Sequence, residues 1–238
     1  MANRLSGVIL AAAAIIVAFT PLTAAPQAPL THGLKPASPP TALVLVPVSG
    51  TWTADYENAR QILTIDGTAA PKAPDADAAR SLMGDAAPGA FPLAIVRDIK
   101  EFKAGRLSVQ FKLVAGASDQ NAGIVFNLKP DGSYLYARYN TKDGNVAVWK
   151  FENGARTVLT HGAEHEQLPL NVWHTLDVQV TGTAVTATAN GRLSVKHVLD
   201  APISGRVGVW TKTDAVTTFK QFQSNHHGHH ELRSTSAR

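Results

Sequence analysis

Tyr134, Tyr136 and Arg138 fall at alternate positions of one short segment, with Leu135, Ala137 and Tyr139 between them. If the segment is a strand, the first three side chains share a face and the other three point the opposite way. Two phenol rings and a guanidinium on one surface can hold a sugar, the rings as platforms for its C–H faces and the guanidinium as a fork of donors to its hydroxyls. Trp149 and Lys150 stand on the next segment but are sequence neighbours, so only one of them can join that surface. Lys212 and Asp214, before the final apolar run, complete the candidate ligand-binding set at its edge. On such a face Arg138 is expected to be exposed, and alanine there to cost within about 1 kcal/mol of stability while abolishing sugar binding.

The remaining reactive side chains point to structure more than to catalysis. His174 shares its face with Leu176, Val178 and Val180, which predicts a core histidine. Trp173 and Trp210 each begin or end an apolar segment, so alanine at either is expected to cost about 3–5 kcal/mol if the ring is fully buried. His161-Gly162-Ala163-Glu164-His165-Glu166 gathers imidazoles and carboxylates at a spacing that fits no closed metal site, and reads as loop decoration. Near the C-terminal end, His226, His227, His229 and His230 are expected to bind a divalent metal weakly, since neutral imidazole is a borderline ligand; no cofactor is required. Nowhere do carboxylates fall at the Glu-x-Asp-x-x-Glu spacing that would flank a glycosidic bond.

The elements that must position these groups are short and extended. Asp131-Gly132, Asp143-Gly144, Asn153-Gly154, Thr181-Gly182 and Asn190-Gly191 punctuate the chain at hairpin intervals. Asn and Gly tolerate the positive φ of tight hairpin turns. Between the pairs the pattern alternates, as at Leu107, Val109, Phe111 and Leu113 against Ser108, Gln110 and Lys112. About a dozen strands and almost no helix follow. A single open sheet of that size would leave one apolar face wet, so the predicted fold is all-β, a two-sheet antiparallel jelly-roll sandwich.

Composition bounds the rest. Arg4, the apolar run from Val8 to Phe19, Pro21 and Thr23-Ala24-Ala25 read as a signal peptide over 1–25, which implies a periplasmic or extracellular protein with no stable membrane anchor after cleavage. Residues 26–49 read as a Pro/Ala-rich linker in which Leu43 to Val46 can add an edge strand; 50–223 form the sandwich and 224–238 a His-rich tail. Within the domain, residues 71–89 read as a long loop with at most one helical turn over 78–83. The chain has no cysteine, so its core holds it without disulfides. The net charge of +4 is scattered rather than clustered, which argues against a nucleic-acid partner.

Asn121-Ala122-Gly123-Ile124-Val125-Phe126, Trp173-His174-Thr175-Leu176 and Gly205-Arg206-Val207-Gly208-Val209-Trp210-Thr211-Lys212 resemble the laminin-G-like, concanavalin-A-like jelly rolls of exported bacterial proteins. Some of those resemble 3-keto-disaccharide hydrolases, related to family sixteen glycoside hydrolases. The chain departs from that subgroup where it reads Ser133-Tyr134-Leu135 in place of Gly-Tyr-Glu, and Phe219-Lys220-Gln221 in place of Phe-Asp-Asp. The resemblance and the missing carboxylates together imply a secreted module that binds a carbohydrate or glycoconjugate without hydrolysing it. The alternatives are a hydrolase of the 3-keto-disaccharide type using Asp119, His174, Glu164 or Asp214, and an accessory periplasmic domain with no small ligand.

Overall fold

Leu107, Val109, Phe111 and Leu113 are all fully buried, while Arg106, Ser108, Gln110 and Lys112 turn outward along the same strand. That half-buried alternation is repeated through a computed structural model that describes residues 43–69 and 91–225. Fourteen strands form there: β1 Leu45–Ser49, β2 Trp52–Glu57, β3 Arg60–Asp66, β4 Leu93–Val96, β5 Gly105–Ala115, β6 Asn121–Leu128, β7 Tyr134–Asn140, β8 Asn145–Glu152, β9 Ala155–His161, β10 Trp173–Thr181, β11 Ala184–Ala189, β12 Leu193–Val198, β13 Arg206–Trp210 and β14 Val216–Asn225. No helix occurs among the described residues.

The strands make two seven-stranded antiparallel sheets. One runs β1-β4-β13-β6-β7-β8-β9 and the other β12-β11-β10-β5-β14-β3-β2. The five turn pairs read from the sequence each join consecutive strands, and Asn153 and Gly154 take the paired positive φ values of 51° and 77° that a primed hairpin turn needs. Between the sheets lies the main core, including Leu63, Phe111, Phe126, Val178 and Phe219. The edge strand expected at Leu43 to Val46 forms as β1 and pairs only with β4, which places residues 45–49 in the sandwich rather than in a linker. The expected signal peptide, the rest of the linker, the helical turn at 78–83 and the histidines at 226–230 lie outside the described residues.

The β-sandwich also has a second apolar cluster, on the outer face of the first sheet. Val48, Ile95, Val125, Tyr134, Tyr136, Phe151 and Trp210 are buried there, with Phe91 and Trp149 packed against them. This outer layer fixes the candidate site.

Candidate functional site

Strand register places the side chains. Tyr134 pairs with Phe151, Tyr136 with Trp149 and Arg138 with Ala147, so these residues of β7 and β8 share the outer face. On the other flank of β7, Arg138 pairs with Gly123 of β6, and Gly123 pairs with Trp210 of β13. A Cβ on Gly123 would come within 3.1 Å of the Trp210 ring, and one on Gly208 within 2.2 Å of the Ala94 carbonyl oxygen. The missing side chain at Gly123 therefore leaves room for the Trp210 ring over the sheet, and that at Gly208 lets the backbones of β13 and β4 approach. Tyr136 stacks on Trp210 at 4.2 Å and 29°, and on Trp149 at 6.2 Å and 14°. Trp210 Nε1 donates to the Tyr134 hydroxyl at 3.2 Å. Burial pushes Tyr136 up to about 12 and raises Tyr134 further, against the opposing charge of Arg156.

Beside this layer opens a cleft of about 540 Å³. Arg138 forms one wall, with its guanidinium donating to the Asn145 carbonyl and side-chain oxygens at 3.2 and 3.0 Å and to Asp143 Oδ2 at 2.7 Å. Burial weakens the guanidinium's hold on its proton, and Asp143 offsets part of that effect. Trp149 stands half-buried between two guanidinium groups, Arg138 at 5.9 Å and Arg156 at 5.4 Å from its ring centre. Arg156 also lies 4.9 Å over Phe91 and forms no ion pair with any described residue. His161 meets the Trp149 ring edge-on at 5.9 Å. His165 Nδ1 donates to the Asp143 carbonyl oxygen at 3.0 Å, and Lys212 pairs with Asp119 at 3.0 Å.

The positions of the sequence-derived candidates divide sharply. Trp149 and Lys212 line the cleft. Lys150 pairs with Leu135, a main-core residue, so it faces the other way and pairs with Glu152 at 2.8 Å. Tyr136 shares the expected face but is fully buried, a support beneath Trp149 rather than an open platform. The expectation of an exposed Arg138 is corrected: only 5% of the residue is accessible, because Asp143 and Asn145 compensate its burial. Asp214 does not line the cleft. Its carboxylate accepts from the amides of Ala117, Ser118 and Asp119 at 2.7–3.1 Å, and those bonds, led by Ser118 and Asp119, hold its pKa below the usual value.

His174 is buried, with Nε2 against the Pro169 carbonyl and Nδ1 against Asn190. Trp210 is 1% exposed. Trp173 differs from the expected full burial: it is half-buried on the outer face of the second sheet, between Lys220 at 4.0 Å and Lys112 at 5.1 Å. Among the described residues no three His, Cys, Asp or Glu side chains cluster as a metal site would require.

Asp143, Asn145 and Arg156 escaped the sequence reading as site residues, and His161 and His165, read there as loop decoration, also line the cleft. Arg156 was legible in principle, because the Asn153-Gly154 hairpin pairs it with Phe151 and so puts it on the side of Trp149. His161 was not. A bulge opposite Val148 and Trp149 lets β9 slip by one residue, pairing Ala147 with His161 and turning the imidazole onto the outer face.

The chain matches no protein-family model and no curated protein sequence. Solved structures share its fold. A carbohydrate-binding module, CBM66, from Bacillus subtilis superposes with a TM-score of 0.57 at 16% identity, over 78% of this chain and 97% of that one. A Bacillus subtilis protein with a galectin-like fold superposes at 0.50 with 11% identity, over 76% and 88%. The chain is thus a jelly-roll, galectin-like β-sandwich.

Proposed function

We propose that the protein binds a carbohydrate or glycoconjugate in the cleft beside the outer aromatic layer of the first sheet, without hydrolysing it. One observation carries the reading: Arg138, Arg156, His161, His165 and Lys212 converge around the half-buried Trp149 in a cleft of about 540 Å³. Saccharides are held by oriented donors to their hydroxyls around an apolar surface, and clefts of roughly 300–1,000 Å³ suit small ligands. The carbohydrate-binding neighbour of the same fold supports it.

Binding is favoured over glycoside hydrolysis because two carboxyl groups must flank the scissile bond, and Asp143 is the one carboxylate lining the cleft. It is already held by Arg138. Of the four residues a 3-keto-disaccharide hydrolase would draw on, three are otherwise occupied, Asp119 with Lys212, His174 with Pro169 and Asn190, and Asp214 with three amides, and Glu164 is exposed and does not line the cleft. The Trp173-His174-Thr175 and Gly205 to Trp210 words support a place nearest the laminin-G-like domains, and the N-terminal apolar run supports export to the periplasm or beyond. Weak divalent metal binding at His226, His227, His229 and His230 is a separate proposal, supported by their composition.

A glycan array read with and without added divalent metal tests the binding reading. At least one saccharide is expected to be retained, and Trp149→Ala to lose it while still folding cooperatively, at a lowered melting temperature because the ring packs on Tyr136. Failure to retain any glycan, or release of new reducing ends from a retained one, would sink it.

A further inference from the structure

We infer that the saccharide taken by this cleft is acidic, carrying a carboxylate or sulfate ester, and that Arg156 receives the anion. The inference rests on the binding reading above and adds the ligand's charge. Three cationic side chains line the cleft, and two are already neutralised: Arg138 by Asp143 at 2.7 Å and Lys212 by Asp119 at 3.0 Å. Arg156 has no carboxylate among the described residues. It is held instead by the faces of Phe91 and Trp149, 4.9 and 5.4 Å from its guanidinium carbon.

Ring faces orient a guanidinium without consuming its N–H groups, and the Tyr136 hydroxyl beside Arg156 engages at most one side of the fork, so N–H groups stay available to a carboxylate or sulfate oxygen pair. A guanidinium paired with Asp or Glu would have fewer free N–H groups and a neutralised charge. Asp143, the one acidic side chain lining the cleft, is paired with Arg138, so the three cations of the lining leave its balance positive. His161 and His165 bring further ring nitrogens to the same walls. A cleft of about 540 Å³ also exceeds what a bare inorganic anion fills, which leaves room for the sugar rings that carry the charge.

The full chain is titrated calorimetrically with tetragalacturonate, its fully methyl-esterified form, a kappa-carrageenan tetrasaccharide whose only charges are sulfate esters, cellotetraose and inorganic sulfate. The acidic tetrasaccharides are expected to bind at least about tenfold tighter than the methyl ester and cellotetraose, and to weaken severalfold between about 50 and about 200 mM salt. The two acidic arms tell carboxylate from sulfate ester, and binding of either supports the inference. Arg156→Gln is expected to erase the preference with an unchanged melting curve, and Arg156→Lys to restore part of it.

Equal or tighter binding of the neutral ligands overturns the acidic inference and leaves the carbohydrate reading standing. Absence of binding to every saccharide overturns both. Inorganic sulfate binding as tightly as the acidic tetrasaccharides removes the saccharide from the claim. A charge preference that survives in a folded Arg156→Gln variant shows that Arg156 is not the receiving group.

Discussion

Tyr136 and Trp210 stack with ring centres 4.2 Å apart although their strands, β7 and β13, are separated by β6. The two rings bridge over the intervening strand because Gly123 presents no side chain beneath Trp210. A layer that would otherwise be the wet face of a sheet is closed in this way.

Trp210→Ala should therefore cost about 3–5 kcal/mol, the range for removing a fully buried large aromatic ring. Trp173→Ala should cost clearly less, since that ring is half-buried between two lysines. Urea denaturation of the two variants measures the gap, and equal losses would contradict the burial difference.

Alkaline pH should loosen the same layer. Burial favours the neutral phenol of Tyr136, whose ordinary value of 10.0 rises to about 12 in the fold. The unfolded chain thus loses this proton first, and the stability it represents is complete below pH 10 and declines up to about pH 12. Chemical denaturation across that window should show the decline, reduced in Tyr136→Phe. The variant also removes a buried hydroxyl that lies beside Arg156 without reaching good hydrogen-bonding geometry, so below the window its effect should be small.

Arg138→Ala should cost about 2 kcal/mol, more than an exposed arginine and less than a fully buried ion pair, because the freed Asp143 is half-exposed and returns to water. Arg138→Lys should recover only part, since an ammonium cannot reach Asn145 and Asp143 with one rigid fork. Melting curves of the two variants decide it; full recovery with lysine would show that charge alone matters.

Asp214→Asn should free the 116–119 loop. The carboxylate's pKa is lowered by amides that bond its charged form, so the contribution is present above the ordinary 3.8 and lost as pH falls below it. Faster hydrogen exchange at Ser118 and Asp119 is the expected result. Exchange unchanged at neutral pH would show that the loop is held by something other than Asp214.

The sequence carried the fold more openly than the cleft, for physical reasons visible at particular residues. Asn153-Gly154 and Asn190-Gly191 announce hairpins through backbone sterics, a strictly local property. Alternation in β5 states which side chains are buried, and parity in β7 correctly separates Tyr136 and Arg138 from Leu135 and Tyr139. Parity gives direction and not depth. Arg138 is buried because Asp143 in the β7–β8 turn and Asn145 just after it supply its partners, and Tyr136 because Trp149 and Trp210 lie over it. A second apolar layer outside the sandwich has no period of its own in the chain. Asp214 looked like a ligand for the same reason it serves as a cap: both roles ask for a carboxylate near exposed donors.

The position of β14 has a temporal consequence. It lies between β5 and β3 in the middle of its sheet, so that Thr64 and Thr218, 154 residues apart, touch through their hydroxyls at 3.1 Å. Until Val216–Asn225 has been synthesised, the β2–β3 ribbon has no neighbour and the main core lacks Phe219. Pairings of such long sequence separation close slowly, so completion of the second sheet, and with it of the main core, waits on β14.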